Sequence, residues 1–278
     1  SSTFMHLIGG KQNVDHIDQA PPSDADLLRR AREVVIAQQS PSVSLLQRHL
    51  RLGWNRCNAL MTQLEGELVS SPLYGGGRIA LPAVLDITHT AHPLNTYWLV
   101  PQALLAGEYP GAPDPDLTRR KVANFLDRGF TAFLDLTEAH ELSPYEVILH
   151  DLARDKGIDC VYRRMPIRDV DVPQTHMQMG AILDQLHNWR MQGRKTYFHC
   201  WGGVGRTGTV AGCYLIEHGH YTGEAALAQL QLLWTHMTAD KQRRKPHTPE
   251  TQAQRDYVLN WAQRNTNGDK GDAHNELV

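Results

Sequence analysis

The chain has 278 residues, 41% of them hydrophobic and 21% charged, with a net charge of −2. These are the figures of a soluble globular protein long enough for two domains, and the balanced charge gives no global basic excess that would announce nucleic acid or an anionic membrane. No apolar run approaches the ~20 residues that cross a bilayer and no leader peptide is visible, so no membrane partner is expected.

Residues 1–23, with Gly9-Gly10 and Pro21-Pro22, carry no apolar period and are expected to be flexible. A first helix is predicted after Ser23 or Asp24, where Leu27, Leu28, Ala31, Val34, Val35 and Ile36 recur at helical spacing. Ser40-Pro41 stops it. Ser42 is placed to cap a short second helix, and Gly53 makes a turn before a third helix from about Trp54 to Leu68. Gly75-Gly76-Gly77 then joins two short strand-like pieces. This order is that of a winged helix-turn-helix over residues 24–81.

Residues 82–95 contain Pro82 and Pro93 and are expected to be a linker. From Thr96 the pattern changes. Short strands at 98–100 and 104–106 precede a helix from Pro115 to Asp127, a buried strand from Phe130 to Leu136, and a helix from Tyr145 to Lys156. A strand at Cys160–Met165, a long helix at Gln174–Met191 and a strand at Thr196–His199 follow, then helices at 206–218, 222–236 and 249–263. Strands alternating with helices imply an α/β domain over 96–264 with a central, largely parallel sheet. The polar tail, 265–278, is expected to be flexible.

The four cysteines, Cys57, Cys160, Cys200 and Cys213, follow neither a zinc spacing nor a secreted disulfide frame. Reduced thiols in a cytoplasm are the simplest reading. The 15 histidines are scattered, so neither a metal nor a cofactor is expected.

Between the last predicted strand and the following helix the chain reads His199-Cys200-Trp201-Gly202-Gly203-Val204-Gly205-Arg206-Thr207-Gly208. Glycines let successive backbone N–H groups point into one bowl, the shape that a phosphate dianion requires. The helix opening near Arg206 adds its positive end, which also favours a thiolate at Cys200. Arg206 offers a planar fork for two phosphoryl oxygens. The pattern Gly203-x-Gly205-x-x-Gly208 also matches a dinucleotide fingerprint, but that motif needs a strand ending in an acid about 20 residues on. The next segments here are helical, and the fingerprint leaves Cys200 and Arg206 unexplained.

His-Cys-x5-Arg-Thr-Gly resembles the signature loop of protein tyrosine and dual-specificity phosphatases, a likeness that extends over residues 96–263. The resemblance implies a cysteine-phosphatase fold, Cys200 as nucleophile, and Arg206 with the backbone of Trp201, Gly202, Gly203, Val204 and Gly205 as the phosphate cradle. Thr207 would donate to the sulfur as it leaves. The family's general acid is an aspartate on an upstream loop, and Met165-Pro166-Ile167-Arg168-Asp169 resembles it, with Asp171 the second choice. In an extended stretch residues two apart point the same way, so alternation does not separate the two. Thr248-Pro249-Glu250-Thr251-Gln252-Ala253-Gln254 resembles the water-positioning loop of tyrosine phosphatases, with Glu250 in place of the first glutamine and Gln254 matching the second; a capped helix start fits these residues equally well. Phosphoinositide members carry lysines inside the signature loop. This loop has none, so a phosphotyrosine-bearing protein is the favoured substrate.

Residues 26–80, through Ser42–Arg56, Met61, Leu64 and Glu65, resemble the gamma domain of the bacterial DNA translocase FtsK. By that resemblance Asn55, Arg56 and Asn58 on the third helix would face bases or phosphates of duplex DNA, with Arg48, Arg51 and Arg78 on phosphates. A winged helix used for protein docking is the competing reading. The whole is read as a bacterial-type phosphatase joined to a DNA-binding module. The alternatives are an RNA 5′-phosphatase, for which Lys241, Arg243, Arg244 and Lys245 would line a basic channel, and a scaffold that captures phosphorylated partners.

Overall fold

A computed structural model describes residues 21–38, 40–72, 77–81 and 92–262. The expectations for 1–20, Gly75 and Gly76, most of the linker and 265–278 lie outside the described residues. The N-terminal module comprises α1 (Asp24–Gln38), α2 (Val43–Leu50) and α3 (Trp54–Gln63). Each turns one apolar stripe inward: Leu27, Ala31 and Val35 from α1, Leu46 and Leu50 from α2, and Cys57, Leu60 and Met61 from α3. Ser42 caps α2 by accepting from Leu45 N at 3.2 Å. Helix α3 stops short of the expected Leu68. Gly66 takes φ 79°, and Val69 N donates to Leu64 O at 3.2 Å, which turns the chain back. Val69 then bridges Ala80 antiparallel, as in a wing.

The α/β domain runs β1 (Thr96–Val100), β2 (Leu104–Gly107), α4 (Pro115–Asp127), β3 (Ala132–Asp135), α5 (Glu146–Asp155), β4 (Val161–Arg164), α6 (His176–Met191), β5 (Thr196–His199), α7 (Arg206–Gly219), α8 (Gly223–Trp234), α9 (Ala239–Arg244) and α10 (Gln252–Leu259). Strand order is β1-β2-β5-β3-β4, with β1 antiparallel to β2 and the remaining pairs parallel. Alternate side chains divide between two cores. Ala106, Leu134 and Phe198 pack with Ile182 of α6 and Val210 of α7, while Leu105, Phe133 and Tyr197 pack with Phe125 of α4 and Leu149 of α5. Burial on both faces is why these strands read as continuous apolar runs.

Two elements depart from the sequence reading. Helix α9 occupies a stretch read as loop, started by Thr238, whose hydroxyl accepts from Lys241 N at 3.3 Å. Helix α10 begins at Gln252 rather than 249, because Thr251 and Gln254 form a capping box there.

The N-terminal module packs on the corner between α7 and α8. Ser40 Oγ donates to Gly219 O at 2.9 Å and Ala80 N donates to Gln229 Oε1 at 2.9 Å, while the Arg48 guanidinium meets the His220 ring. Apolar residues of both modules join one continuous core. Among the described residues no helix is long and apolar enough to cross a membrane.

Candidate active site

Strand β5 ends at His199, and the loop from Cys200 runs directly into α7, which opens on Arg206. The loop's carbonyls are bonded on its outer side. Tyr109 N donates to Trp201 O and Thr248 Oγ1 donates to Val204 O, both at 2.8 Å. Thr209 donates to Gly205 O from N at 2.9 Å and from Oγ1 at 2.8 Å. His199 Nδ1 lies 3.1 Å from Cys200 O, and a carbonyl only accepts, so Nδ1 carries the proton. His199 Nε2 is then the acceptor for the Tyr145 hydroxyl at 2.7 Å. Burial pushes the imidazole pKa down and keeps this ring neutral. These bonds take up the carbonyls of Trp201, Val204 and Gly205, and a bowl of N–H groups is the shape that such a glycine-bearing turn can form.

Gly203 makes the turn possible. Its φ is 72°, and a Cβ there would lie 2.6 Å from Gly107 C and 2.7 Å from Gly107 O at the end of β2.

The Arg206 side chain is almost wholly buried. Nη1 donates to Glu141 Oε2 at 2.8 Å and to Ile167 O at 3.1 Å, Nη2 donates to Glu141 Oε1 at 2.6 Å, and Nη2 lies 3.0 Å from Asp169 Oδ1. Burial alone would raise the Glu141 carboxyl pKa, but the Arg206 hydrogen bonds, the Glu138 N–H and the Arg206 charge together outweigh it and hold the group below its usual range. Burial likewise disfavours charge on Arg206; the Glu141 hydrogen bond and electrostatic interaction with Cys200, Glu141 and Asp169 reverse this and raise its pKa.

A cavity of about 450 Å³ collects most of the residues singled out from sequence. Cys200, Trp201, Gly202, Val204, Gly205 and Arg206 line it, with Asp169 and Val170 from the loop after β4 and Lys241, Arg244, Lys245, Glu250 and Gln254 from the C-terminal part. Gly203 and Thr207 are outside the lining. Thr207 is fully buried, and its Oγ1 lies 3.5 Å from Gly107 O. Glu250 pairs with Lys245. Gln254 accepts from Thr251 N at 3.0 Å and donates to Asp171 O at 3.1 Å, and its amide packs against Gly205.

Asp171 is also outside the lining; its Oδ1 accepts from Val172 N at 2.8 Å. The premise of an extended stretch fails at Val170, whose φ of 55° turns the chain between the two aspartates. Tyr145 is buried in the core. Sequence reasoning missed Glu141, which lies in a loop far along the chain from Arg206 and carries no local signal.

The residues proposed for DNA do not form one open face. Arg78 is a correction: its side chain is buried, ion-paired with Glu65, and donates to Ser70 O at 3.1 Å and Thr62 Oγ1 at 3.2 Å, so its charge is spent inside the module. Arg48 meets His220, and Asn58 looks with Trp54 into a cleft shared with His220–Thr222. Asn55, Arg51 and Arg56 are exposed, Arg56 pairing with Asp24.

Residues 93–258 match the family described as Swiss Army Knife protein, DSP-PTPase phosphatase domain. The chain belongs to that family. Its α/β domain is therefore a phosphatase domain of the dual-specificity type. A curated relative, phosphatidylglycerophosphate phosphatase PTPMT2 of Arabidopsis thaliana, is 31% identical over 172 residues, 60% of this chain and 70% of the relative. The solved structure of Tk-PTP in its active form aligns with a TM-score of 0.46 at 22% identity, covering 61% of this chain and 97% of that one. Residues 23–78 match the FtsK gamma domain, and a DNA translocase FtsK of Streptomyces coelicolor is 38% identical over 68 residues. The N-terminal module is thus similar to an FtsK gamma domain over these residues. The match spans 24% of this chain and 7% of that translocase.

Gly203→Ala tests the loop's construction. A non-glycine residue at positive φ costs about 1–3 kcal/mol, before the contact with Gly107 is counted. Thermal unfolding is expected to show a Tm lower by roughly 4–8 °C, and phosphatase turnover is expected to fall more than stability explains. An unchanged Tm with full turnover would show that the loop does not need this turn.

Proposed function

We propose that the phosphatase domain hydrolyses phosphomonoesters through a phosphocysteine, with Cys200 as nucleophile, Arg206 as phosphoryl holder and Asp169 as general acid. The observation that carries this reading is the convergence of all three on one cavity at the C-terminal end of β5. The Cys200 thiolate attacks phosphorus in line while the P–O bond to the leaving group breaks, and Asp169 gives its proton to the departing oxygen. Water then attacks the phosphocysteine. Asp169 takes the water's proton, the P–S bond breaks, and inorganic phosphate leaves with the thiolate restored. The loop N–H groups and Arg206 carry the developing charge.

Glu141 takes the end-on edge of the Arg206 fork. The side edge, Nε with Nη2, is the one left to hold phosphoryl oxygens, and Asp169 stands on its Nη2. An incoming phosphoryl group must displace Asp169 from Arg206, which frees the carboxyl to turn toward the leaving oxygen. Gln254 ties the acid loop to the bowl through Asp171 O and Gly205, and we assign it that positioning role in preference to orienting water. Glu250, engaged by Lys245, is assigned no water-positioning role.

A phosphotyrosine-bearing protein is the substrate favoured by the lysine-free loop. A second reading, a smaller and more highly charged phosphate, is favoured by the cations that α9 brings to the cavity from outside that loop, and the Arabidopsis relative is named for a phosphorylated lipid. Turnover of phosphopeptides, RNA 5′ ends, inositides and phosphatidylglycerophosphate ranks these directly; a kcat/KM highest for phosphopeptides sinks the second reading.

The gamma domain is proposed to bind duplex DNA through the exposed start of α3. The full chain is expected to bind duplex with an affinity that falls as salt rises, and Arg56→Ala is expected to weaken binding and reduce the salt slope by about 1. No duplex binding at low salt would make the module a docking element.

A further inference from the structure

We infer that α9 and the turn after it build a second anion subsite, so that the substrate carries another phosphate a short linker away from the one hydrolysed. This rests on Cys200 and Arg206 being the phosphoryl site.

Three cations, Lys241, Arg244 and Lys245, reach the cavity from one side, where Glu250 pairs with Lys245; Asp169, the other acid of the lining, stands on Arg206. The chemistry above uses none of them. The helix that carries them is anchored at both ends. Trp234 Nε1 donates to Lys245 O at 2.7 Å, and Asn95 Oδ1 accepts from the Thr238 hydroxyl at 3.0 Å, which fixes both ends of α9. The Lys241 side chain is 8% exposed and its Nζ lies 3.0 Å from Glu108 Oε2. A Cβ on Gly202 would sit 3.8 Å from that ammonium, so the charge lies against the phosphate loop itself. Arg244 bonds Asp240 through Nε at 2.8 Å, which leaves its Nη donors for a ligand.

A pocket of about 450 Å³ falls within the range of about 300–1,000 Å³ typical of small-molecule sites and exceeds what one phosphoryl group fills. Trp201 and Val170, both more than half exposed, supply apolar surface on the same cavity for the carbon linker. Cations gathered at one end of a compact pocket suit a bis-phosphorylated small molecule or headgroup better than an extended peptide, whose acidic residues would spread over the surface.

Glycerol 1-phosphate and glycerol 1,3-bisphosphate both release a primary alcohol oxygen and differ by the second phosphate alone. The wild-type chain is expected to turn over the bisphosphate with a kcat/KM about 10- to 100-fold higher, the scale of one or two charge-assisted hydrogen bonds. Arg244→Gln with Lys245→Gln, both at exposed positions, should reduce that ratio about tenfold, and Arg244→Lys with Lys245→Arg should restore most of it. A wild-type ratio near one, or equal losses on both substrates in the glutamine variant, overturns the subsite. So does a preference for acidic phosphopeptides that the glutamine variant loses while the glycerol ratio stays near one. Short-chain phosphatidylglycerophosphate in micelles, compared with the free bisphosphate, separates a lipid headgroup from a soluble source. If wild type hydrolyses neither glycerol phosphate nor p-nitrophenyl phosphate, the phosphatase chemistry fails rather than the subsite. Calorimetry of Cys200→Ser with the two glycerol phosphates then decides the subsite alone: tighter bisphosphate binding supports it, and equal or absent binding overturns it.

Discussion

Cys200→Ser is expected to abolish hydrolysis of p-nitrophenyl phosphate, by at least about 10⁴-fold, the scale on which removing a covalent nucleophile acts. Binding of tungstate should survive, because the anion is held by the loop backbone, and the groups that donate to the loop's carbonyls, Tyr109 N, Thr248 Oγ1 and Thr209, are untouched. Isothermal calorimetry and steady-state assay on the same preparation read the two outcomes. Turnover near wild type in the serine variant would remove the phosphocysteine from the mechanism. Arg206→Lys belongs to the same test. A lysine is a point charge and offers no pair of parallel donors. It also leaves the Glu141 carboxylate, now bonded by both Nη groups and by Glu138 N, with at most one of its two guanidinium bonds replaced. A loss of about 10²–10³-fold in kcat is expected, the scale of a removed charge-stabilising donor. A melting curve separates this from instability: the chemistry should fall far more than the fold.

The parts of this site that were legible in the sequence are contiguous. A strand, a glycine-bearing loop and a helix start occupy Thr196 to Gly208, and each element has a local cause that survives folding: a short run buried on both faces, positive φ at Gly203, and the opening of α7 on Arg206. Glu141 was illegible because its role is to meet Arg206 across the fold, and no periodicity in its own loop requires a carboxylate there. Arg78 was misread for the opposite reason. Composition counts an arginine as positive charge at the surface, but Glu65 and Thr62 enclose this one. Helix α9 was hidden by its six residues, too few to display an amphipathic period, and it is the element that brings Lys241, Arg244 and Lys245 to the cavity.

The choice between Asp169 and Asp171 turns on a backbone feature that alternation could not foresee. Residues two apart point alike only in extended chain, and Val170 at φ 55° breaks the extension. Each carboxylate accepts from the next residue's N–H, Asp169 from Val170 and Asp171 from Val172, but of the two Asp169 alone lines the cavity, 3.0 Å from Arg206, while Asp171 lends its carbonyl to Gln254. Removing the true acid should therefore depend on the leaving group. On a phosphotyrosine peptide, whose phenol has a pKa of about 10, Asp169→Asn is expected to cut kcat by roughly 10²–10⁴-fold. On an aryl phosphate with a very acidic phenol the loss should be far smaller, because that oxygen departs unprotonated. The acidic limb of the pH–rate profile, which reports formation of the nucleophile, should persist in Asp169→Asn. The basic limb, which reports loss of the acid's proton, should flatten. Asp171→Asn should change neither limb, since it keeps the backbone carbonyl that Gln254 holds. The reverse pattern would move proton donation to Asp171. Equal small losses on both leaving groups from both variants would place the acid outside this loop.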